Sequence, residues 1–416
     1  MEPKKYLATH LVLMKLLSKT RISPATSQGA PLCGCIAYID SEKPLLMHRI
    51  GHEVASDVHD DFYDVFSNDN GQTWNEPQIA LQRIAQENGH IYFVENAIYY
   101  SADHHRMVHF VDEVFQQSLD QYDLNHTTQI RITIDEPQAF IDGTAEPVLK
   151  STFGIEQGLG VSFCHPFSDS KDRLLVPVQW QREDVEREIS SQGFPVRSDL
   201  PNVLKDVWQC ALLIGTWNED HTLNWQLGNP VPYDFQTTSR GLCEGTVMEL
   251  SNGRLAMILR GSNAAWPEKP NYKWLSLSDD GGLNWSHAAP LHCDDGSLPE
   301  SSATGSALFR SSKNGRLYWI GNLCLNGERA KGNWPRSPLY IAEVQEEPFC
   351  LIRESIVVID ERTPHESEFV QHSNFKYYHD RETGDVVLYL TRFGERGHEE
   401  GKWLDADLYQ YRIRID

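Results

Sequence analysis

The sequence has few basic residues and no long apolar run. It carries 37 Lys and Arg residues against 59 Asp and Glu residues, a net charge of −22 at pH 7. This balance argues against nucleic acids and anionic membrane surfaces as general partners. A membrane-spanning helix needs about 18 or more consecutive apolar residues, and the sequence has no such stretch. The 40% hydrophobic and 23% charged composition is typical of a globular protein that works away from membranes.

The first twenty residues, MEPKKYLATHLVLMKLLSKT, lack the features of a secretory signal. His10 and Lys15 interrupt the apolar run, and no small-residue cleavage site follows it. We predict an amphipathic helix or strand that packs on the domain, and a cytoplasmic protein, with secretion as the alternative.

The eight cysteines show no Cys-x-x-Cys pair and no Cys/His spacing typical of zinc. They are scattered through apolar, strand-like segments. We therefore predict buried free thiols in a reducing compartment, and no metal or cofactor.

One eight-residue phrase occurs twice, as SNDNGQTW (67–74) and SDDGGLNW (278–285). Ser, Asp and Asn side chains bond nearby backbone groups, Gly permits positive φ, and the terminal Trp offers an apolar anchor. Both copies follow a strand-like run, so each predicts the turn of a β-hairpin. A degenerate third copy, NEDHTLNW, ends at Trp225.

Short extended runs separated by Gly, Asp, Asn and Pro fill the chain, whereas long helical periodicity is scarce. They fall into six groups of three or four strands. This predicts an all-β fold, a six-bladed β-propeller that forms a single domain over 1–416. The charged stretch near 182–205 predicts a helical or loop insertion.

The repeated phrase resembles the Asp box, or BNR repeat, of the sialidase superfamily. The segment CEGTVMELSNGRLAMILRGSN, followed by KWLSLSDDGGLNW, is similar to the fourth blade of that superfamily. The resemblance covers most of the chain and implies a six-bladed propeller of sialidase type. Sialidases bind the substrate carboxylate with three arginines and use a tyrosine nucleophile, a glutamate that activates it, and an aspartate as acid/base.

The resemblance implies roles for four positions here. Glu244 matches the glutamate, Arg260 the second arginine and Arg336 the third. The acidic loop of the first blade implies Asp57 as the acid/base, with Asp61 and its neighbour at 60 as alternatives. Guanidinium suits carboxylate binding because it keeps its charge and donates a planar pair of hydrogen bonds.

Two positions depart from the pattern. The first-strand stretch APLCGCIAYI has no arginine, and Arg49, one strand later, is the candidate substitute. His372 stands where the tyrosine is expected, while Tyr377 and Tyr378 lie out of register. Arg392 ends a strand of the same blade and is a further candidate anion contact.

The segment MHRIGHEVASDVHDD is rich in histidine, a side chain that titrates near neutral pH. We predict a catalytic His48 and a substrate-contacting His52. A metal site shared by the two, or a solvated loop, is the alternative.

These residues predict an exo-acting glycoside hydrolase for a glycan with a terminal acidic sugar, sialic or uronic acid. The partner is then an acidic oligosaccharide or polysaccharide. One alternative is a polysaccharide lyase for uronate-containing glycans, in which a histidine or tyrosine removes the proton next to the carboxylate. Another is a carbohydrate-binding propeller without catalysis.

Overall fold

The computed structural model of the protein describes residues 14–117, 126–156, 158–163, 165–182, 207–325, 327–399 and 401–416. The N-terminal residues 1–13, most of the predicted insertion near 182–205 and Cys164 lie outside these ranges. None of the helices within the described ranges is long and apolar enough to cross a bilayer.

The described residues form six antiparallel sheets that follow one another along the chain, which confirms the predicted all-β propeller with six blades. Blade 1 has β2 (Ala30–Tyr38), β3 (Leu46–Ala55), β4 (Val58–His59), β5 (Phe62–Ser67) and β6 (Gln78–Leu81). Blade 2 has β7 (Ile84–Gln86), β8 (Gly89–Ser101), β9 (Arg106–Gln116), β10 (His126–Asp135) and β11 (Pro147–Ser151), with helix α1 (Pro137–Ile141) before the last strand. Blade 3 has β12 (Gly160–Val161), β13 (Phe167–Ser168), β14 (Arg173–Gln181), β15 (Trp208–Trp217) and β16 (Leu223–Leu227).

The second half of the chain repeats this arrangement. Blade 4 has β17 (Cys243–Glu249), β18 (Leu255–Arg260), β19 (Lys273–Ser278) and β20 (Ala289–Pro290). Blade 5 has β21 (Ala307–Arg310), β22 (Leu317–Asn322), β23 (Leu339–Glu346), β24 (Phe349–Leu351) and β25 (Val357–Asp360), with a 3₁₀ turn at Arg353–Ser355. Blade 6 has β26 (Phe375–His379), β27 (Val386–Thr391), β28 (Leu408–Ile415) and β1 (Met14–Ser23).

The first described strand closes the ring. β1 pairs antiparallel with β28, from Met14 opposite Ile415 to Ser23 opposite Leu408, so both ends of the described chain lie in blade 6. Of the two predictions for the N-terminal region, the strand is the one observed from Met14 onward.

The hydrophobic core lies between neighbouring blades. Because side chains alternate between the two faces of a strand, β26 directs Phe375 and Tyr377 into the cluster shared with blade 5, and Tyr378 into the cluster shared with blade 1. Comparable clusters join blades 1 and 2, 2 and 3, 3 and 4, and 4 and 5. The seven described cysteines are free thiols, and all but Cys243 are buried.

Both copies of the repeated phrase form the same turn between the third and fourth strands of a blade. In blade 1, the Asp69 carboxylate accepts the Ser67 hydroxyl and the Thr73 backbone N–H, each at 2.8 Å. In blade 4, Asp280 accepts the Ser278 hydroxyl and the backbone N–H of residue 284, each at 2.9 Å. The predicted hairpins are therefore observed, since β5 pairs with β6 and β19 pairs with β20.

Removal of the closing strand should destabilise the propeller. A chain that starts at Pro24 leaves the edge of β28 unpaired and takes the buried Met14 out of the core between blades 5 and 6. We expect a melting temperature lower by several degrees and some aggregation, measured by thermal unfolding and size-exclusion chromatography. Ile22→Ser is the control, because Ile22 lies in the same strand but is 46% exposed. A truncated monomer that melts with the parent would show that closure contributes nothing.

Candidate functional site

The candidate site lies at the strand ends opposite the repeated turns. Leu255 pairs with Ser278 at the turn end of blade 4, and five residues later Arg260 pairs with Lys273 and with Cys243 at the other end. At about 3.3 Å per residue, the two ends are about 17 Å apart. The loops that enter each blade's first strand meet at this second end.

Arg260 and Arg336 are joined through one asparagine. Arg260 makes an ion pair with Glu244 and donates a hydrogen bond to the Asn333 side-chain oxygen at 3.1 Å. Arg336 donates to the Asn333 carbonyl at 3.2 Å and to the Gln371 side chain at 2.6 Å. Blades 4 and 5 thus place two guanidinium groups and a carboxylate side by side.

Arg240 is a third arginine at this place, and the sequence analysis did not identify it. Arg240 and Arg260 line one small cavity of about 10 Å³ together with Trp208 and Cys243. That volume is near the minimum for one water molecule. The signal was present in the sequence, since Arg240 stands four residues before Glu244 in the same loop.

The three arginines differ in how far their charge is compensated. Burial and, to a smaller extent, the neighbouring Arg260 charge lower the pKa of both Arg240 and Arg336 to about 10. Burial would also lower the pKa of Arg260, but its partner Glu244 raises it above the ordinary value. Arg260 thus has a carboxylate partner, whereas Arg336 bonds uncharged groups of the described residues.

Asp57 belongs to the same group of charges. It lies exposed at the tip of the turn between β3 and β4, at φ +59°. Its carboxylate is among the charges that raise the pKa of Arg240, Arg260 and Arg336, after the larger effects of burial and nearer groups. The turn is fixed because the Asp57 backbone N–H bonds the Glu53 carboxylate at 3.1 Å.

The other aspartates of this loop are held by an arginine of the next turn. Asp61 accepts the Arg83 backbone N–H at 2.8 Å, and Asp60 lies 3.5 Å from the Arg83 guanidinium. Of the three aspartates proposed from the sequence, the geometry favours Asp57.

Glu244 has a strained backbone. Its φ of +46° lies in the left-handed region, which residues other than Gly, Asn and Asp rarely adopt. Its backbone N–H donates to the Gln179 side chain at 2.7 Å, which holds this conformation. Strain of this kind is concentrated at functional positions.

Arg49 does not substitute for the missing first arginine. Leu46 pairs with Ser67 as Leu255 pairs with Ser278, so Gly51, not Arg49, is the blade 1 counterpart of Arg260. Arg49 is buried and bonds Asp64 through two hydrogen bonds of 2.7 Å.

A third contact of Arg49 crosses to blade 2, where its guanidinium lies 2.6 Å from His109 Nε2. The Asp64 partner keeps the pKa of Arg49 raised although burial opposes this. Arg49 therefore stabilises the contact between blades 1 and 2, which corrects the prediction that it binds substrate.

The His372 side chain contacts Asp360 and Arg392 in the interior, and not Arg260 or Arg336 of the candidate site. Its side chain is 0% exposed and lies 3.3 Å from Asp360 and 3.1 Å from Arg392 Nε. Only its backbone meets the site, where the N–H bonds the Arg336 carbonyl at 2.8 Å. This corrects the prediction of a catalytic His372, because a fully buried imidazole cannot reach substrate.

Arg392 is also held in the interior by ion pairs. It is buried and lies within 3.2 Å of three carboxylates, those of Asp360, Glu366 and Glu395. With its charge compensated, Arg392 is not available as an anion contact, and that prediction is corrected too.

Of the two histidines proposed from the sequence, His48 lies deep in blade 1, whereas His52 follows Gly51 at the level of Arg260. His48 is buried against the rings of Trp74 and Tyr389, and burial lowers its pKa to about 3. It sits seven residues before the end of β3, about 23 Å below the Asp57 turn. His52 is half-buried, and burial lowers its pKa against the opposing charge of Asp60.

Neither tyrosine near the expected nucleophile position faces the arginines. Tyr377 and Tyr378 are each 6% exposed and belong to the clusters between blades. The ring of Tyr377 lies 4.0 Å from that of His165.

No protein-family model matches this sequence, and no curated protein sequence does. Solved structures are similar at low identity. The intramolecular trans-sialidase of Ruminococcus gnavus in complex with oseltamivir carboxylate has a TM-score of 0.60 and 11% identity, over 95% of this chain and 97% of that chain. The leech intramolecular trans-sialidase complexed with 2,7-anhydro-Neu5Ac has a TM-score of 0.59 and 12% identity, over 94% of this chain and 68% of that one.

The sialidase of Trypanosoma rangeli in complex with the inhibitor DANA has a TM-score of 0.57 and 11% identity, over 94% of this chain. The present chain spans 55% of that protein, just over half its length. This chain is a six-bladed propeller of the sialidase type. At these identities the likeness concerns the fold of the sialidase-like propeller.

Arg49→Met should destabilise this sialidase-like propeller, because it leaves the Asp64 carboxylate charged, buried and without its main partner. We expect the free energy of unfolding to fall by about 3–5 kcal/mol in denaturant titrations. Arg254→Met is the control, since its ion pair with Asp279 is exposed and should contribute about 1 kcal/mol or less. If Arg49→Met keeps the parental stability but no longer binds an acidic glycan, Arg49 contributes to substrate binding after all.

Proposed function

We propose that the sialidase-like propeller is an exo-acting glycoside hydrolase that releases a terminal acidic sugar, sialic or uronic acid, from a glycan. The observation that carries this proposal is the convergence of Arg240, Arg260 and Arg336 with the carboxylates of Asp57 and Glu244.

The arginines suit the carboxylate of such a sugar. They gather at one place in a chain whose net charge is −22, and Arg336 bonds only uncharged groups of the described residues, which leaves its charge open to an anionic ligand. The lowered pKa of Arg240 and of Arg336 means that an arriving anion would stabilise charges that burial now disfavours. In this proposal Arg240 takes the place of the arginine that the first strand lacks.

Asp57 is proposed as the general acid. Its exposed position at the mouth of the site lets it meet the glycosidic oxygen that links the acidic sugar to the rest of the glycan. Protonation of that oxygen makes it a better leaving group in a transition state with oxocarbenium character.

Glu244 is proposed as the base that activates water. A Cβ at Gly305 would lie 3.1 Å from Glu244 Oε2 and 2.5 Å from the Phe163 ring, so only glycine leaves room there. The water oxygen bonds to the anomeric carbon, Glu244 accepts the water proton, and Asp57 gives its proton to the departing oxygen. Water thereby takes the part that a tyrosine plays in sialidases.

The reaction class is tested by product masses after incubation with sialylated and uronate-containing oligosaccharides. Hydrolysis adds one water to the summed mass, and release of a terminal acidic sugar is expected. Arg240→Ala, Arg260→Ala and Arg336→Ala should each lower kcat/KM by about 10- to 100-fold, since each removes a charge-assisted hydrogen bond.

Arg254→Ala is the matched control and should retain parental activity, because Arg254 lies at the opposite strand ends and is paired with Asp279. Products of unchanged summed mass would refute hydrolysis and would mean elimination or intramolecular transfer instead. Binding without products would show that the site recognises a carbohydrate but does not cleave it.

Asp57→Asn should slow cleavage by a factor that depends on the leaving group of the substrate. An asparagine cannot give a proton to a sugar oxygen, so cleavage of a natural glycan should slow by about 100-fold or more. A nitrophenyl glycoside of the same sugar needs little protonation and should be affected much less. Asp61→Asn is the control. Equal losses on both substrates would mean that Asp57 is not the acid.

A further inference from the structure

Lys273 is a buried cation that the proposed chemistry does not use. It opens β19, pairs across the sheet with Arg260, and is 2% exposed. Its ammonium group donates hydrogen bonds to the Thr304 carbonyl oxygen and, at 2.9 Å, to the Thr304 hydroxyl. Both acceptors are uncharged, so they compensate the buried charge less than a carboxylate would.

Thr304 is the middle of three consecutive residues that each contact a charged group of the site. The Ala303 carbonyl oxygen lies 3.5 Å from Arg336 Nη2. Thr304 holds the Lys273 ammonium. Gly305 lies against the Glu244 carboxylate, since a Cβ there would be 3.1 Å from Oε2. Lys273 therefore fixes the strip of backbone that separates Arg336 from Glu244.

The charged and titratable groups that act on Lys273 belong to the same site. Burial lowers the pKa of Lys273 to about 7, with Glu244 opposing this shift and Arg260 and Arg336 adding to it. Cys243 and Cys324 are further titratable neighbours. Burial raises the pKa of Cys243 to about 11 and that of Cys324 to about 12, so both stay neutral thiols near pH 7.

We propose that Lys273 is a positioning residue that sets the upper pH limit of acidic-ligand binding at the arginine cluster, acting through the 303–305 strip and the local field without touching the ligand. The proposal rests on the function proposed above. While Lys273 is charged, it adds to the positive field and holds the Thr304 carbonyl firmly. When it loses its proton, both contributions weaken, so an anionic ligand dissociates more readily.

The binding test uses DANA, a sialic acid analogue with one carboxylate, in calorimetric titrations between pH 6 and pH 8.5. The parent Kd should rise by about three- to tenfold over this range, as expected for one charge lost within a partly buried site. Lys273→Met should bind weakly at pH 6 and show little further change. Lys273→Arg keeps its charge and should bind with little pH dependence.

Lys269→Met is the control, because Lys269 is a partly exposed lysine of the loop before β19 whose ammonium bonds the carbonyl of residue 236. It should keep the pH dependence of the parent. Thr304→Val removes the hydroxyl acceptor without removing a charge and should shift the pH midpoint rather than abolish the dependence.

Thermal unfolding against pH measures the titration of Lys273 without any ligand. Folding disfavours the Lys273 ammonium, so the unfolded chain binds this proton more tightly, and the parent gains stability as pH rises above 7. The melting temperature of Lys273→Met minus that of the parent should therefore fall between pH 6 and pH 8.5.

The two measurements separate the possible failures. If Lys273→Met and the parent show the same pH dependence of the DANA Kd, Lys273 does not control binding and the proposal is overturned. If the melting-temperature difference is constant with pH, Lys273 does not titrate in this range, which also overturns it. If that difference falls as expected but no variant binds DANA or any acidic glycan, the proposed function has failed and the binding role fails with it.

Discussion

The packing of each blade against the next is the constraint on which this structure depends. Every large hydrophobic cluster of the described residues draws its side chains from two adjacent blades, so the core forms only when the sheets follow one another around the ring. The same packing brings the entry loops of the blades to one end of the molecule. Asp57, Glu244 and Arg336 come from three different blades and lie at the same end of the molecule for that reason.

The arginines away from the surface differ in how their charge is compensated. Arg49 and Arg392 have carboxylate partners that raise the pKa of each against the opposing effect of burial, so their charge is used within the fold. Arg240 and Arg336 have a lowered pKa, because burial and the neighbouring Arg260 outweigh the nearby carboxylates. Arg336 bonds only uncharged groups of the described residues, and an anion that reaches it would stabilise its charge. Residue type and burial alone would not have revealed this difference.

The sequence was sufficient to predict the fold because its signals are local. A turn phrase that satisfies its own backbone groups recurs at the end of equivalent hairpins, and strand-like runs between turns give the number of blades. Glu244, Arg260 and Arg336 could be proposed because they stand within phrases that resemble a known blade. Arg49 and His372 were misassigned because register decides the depth of a residue along its strand, and rotamer and packing decide which way a side chain points. Neither the register nor the direction of a side chain can be derived from the sequence of one strand without its partner strands.

The backbone of Glu244 argues that this site does more than hold an anion. A neutralising partner for Arg260 needs only a carboxylate within reach, which a glutamate in relaxed backbone geometry could supply. Here the glutamate adopts φ +46°, at a cost of about 1–3 kcal/mol, and its N–H is held by Gln179. The carboxylate and the Phe163 ring both pack closely against Gly305, where a Cβ would lie 3.1 Å from Glu244 Oε2 and 2.5 Å from the ring. Strain of this kind is concentrated at functional positions, so the conformation of Glu244 supports the role proposed for its carboxylate beyond that of an ion-pair partner.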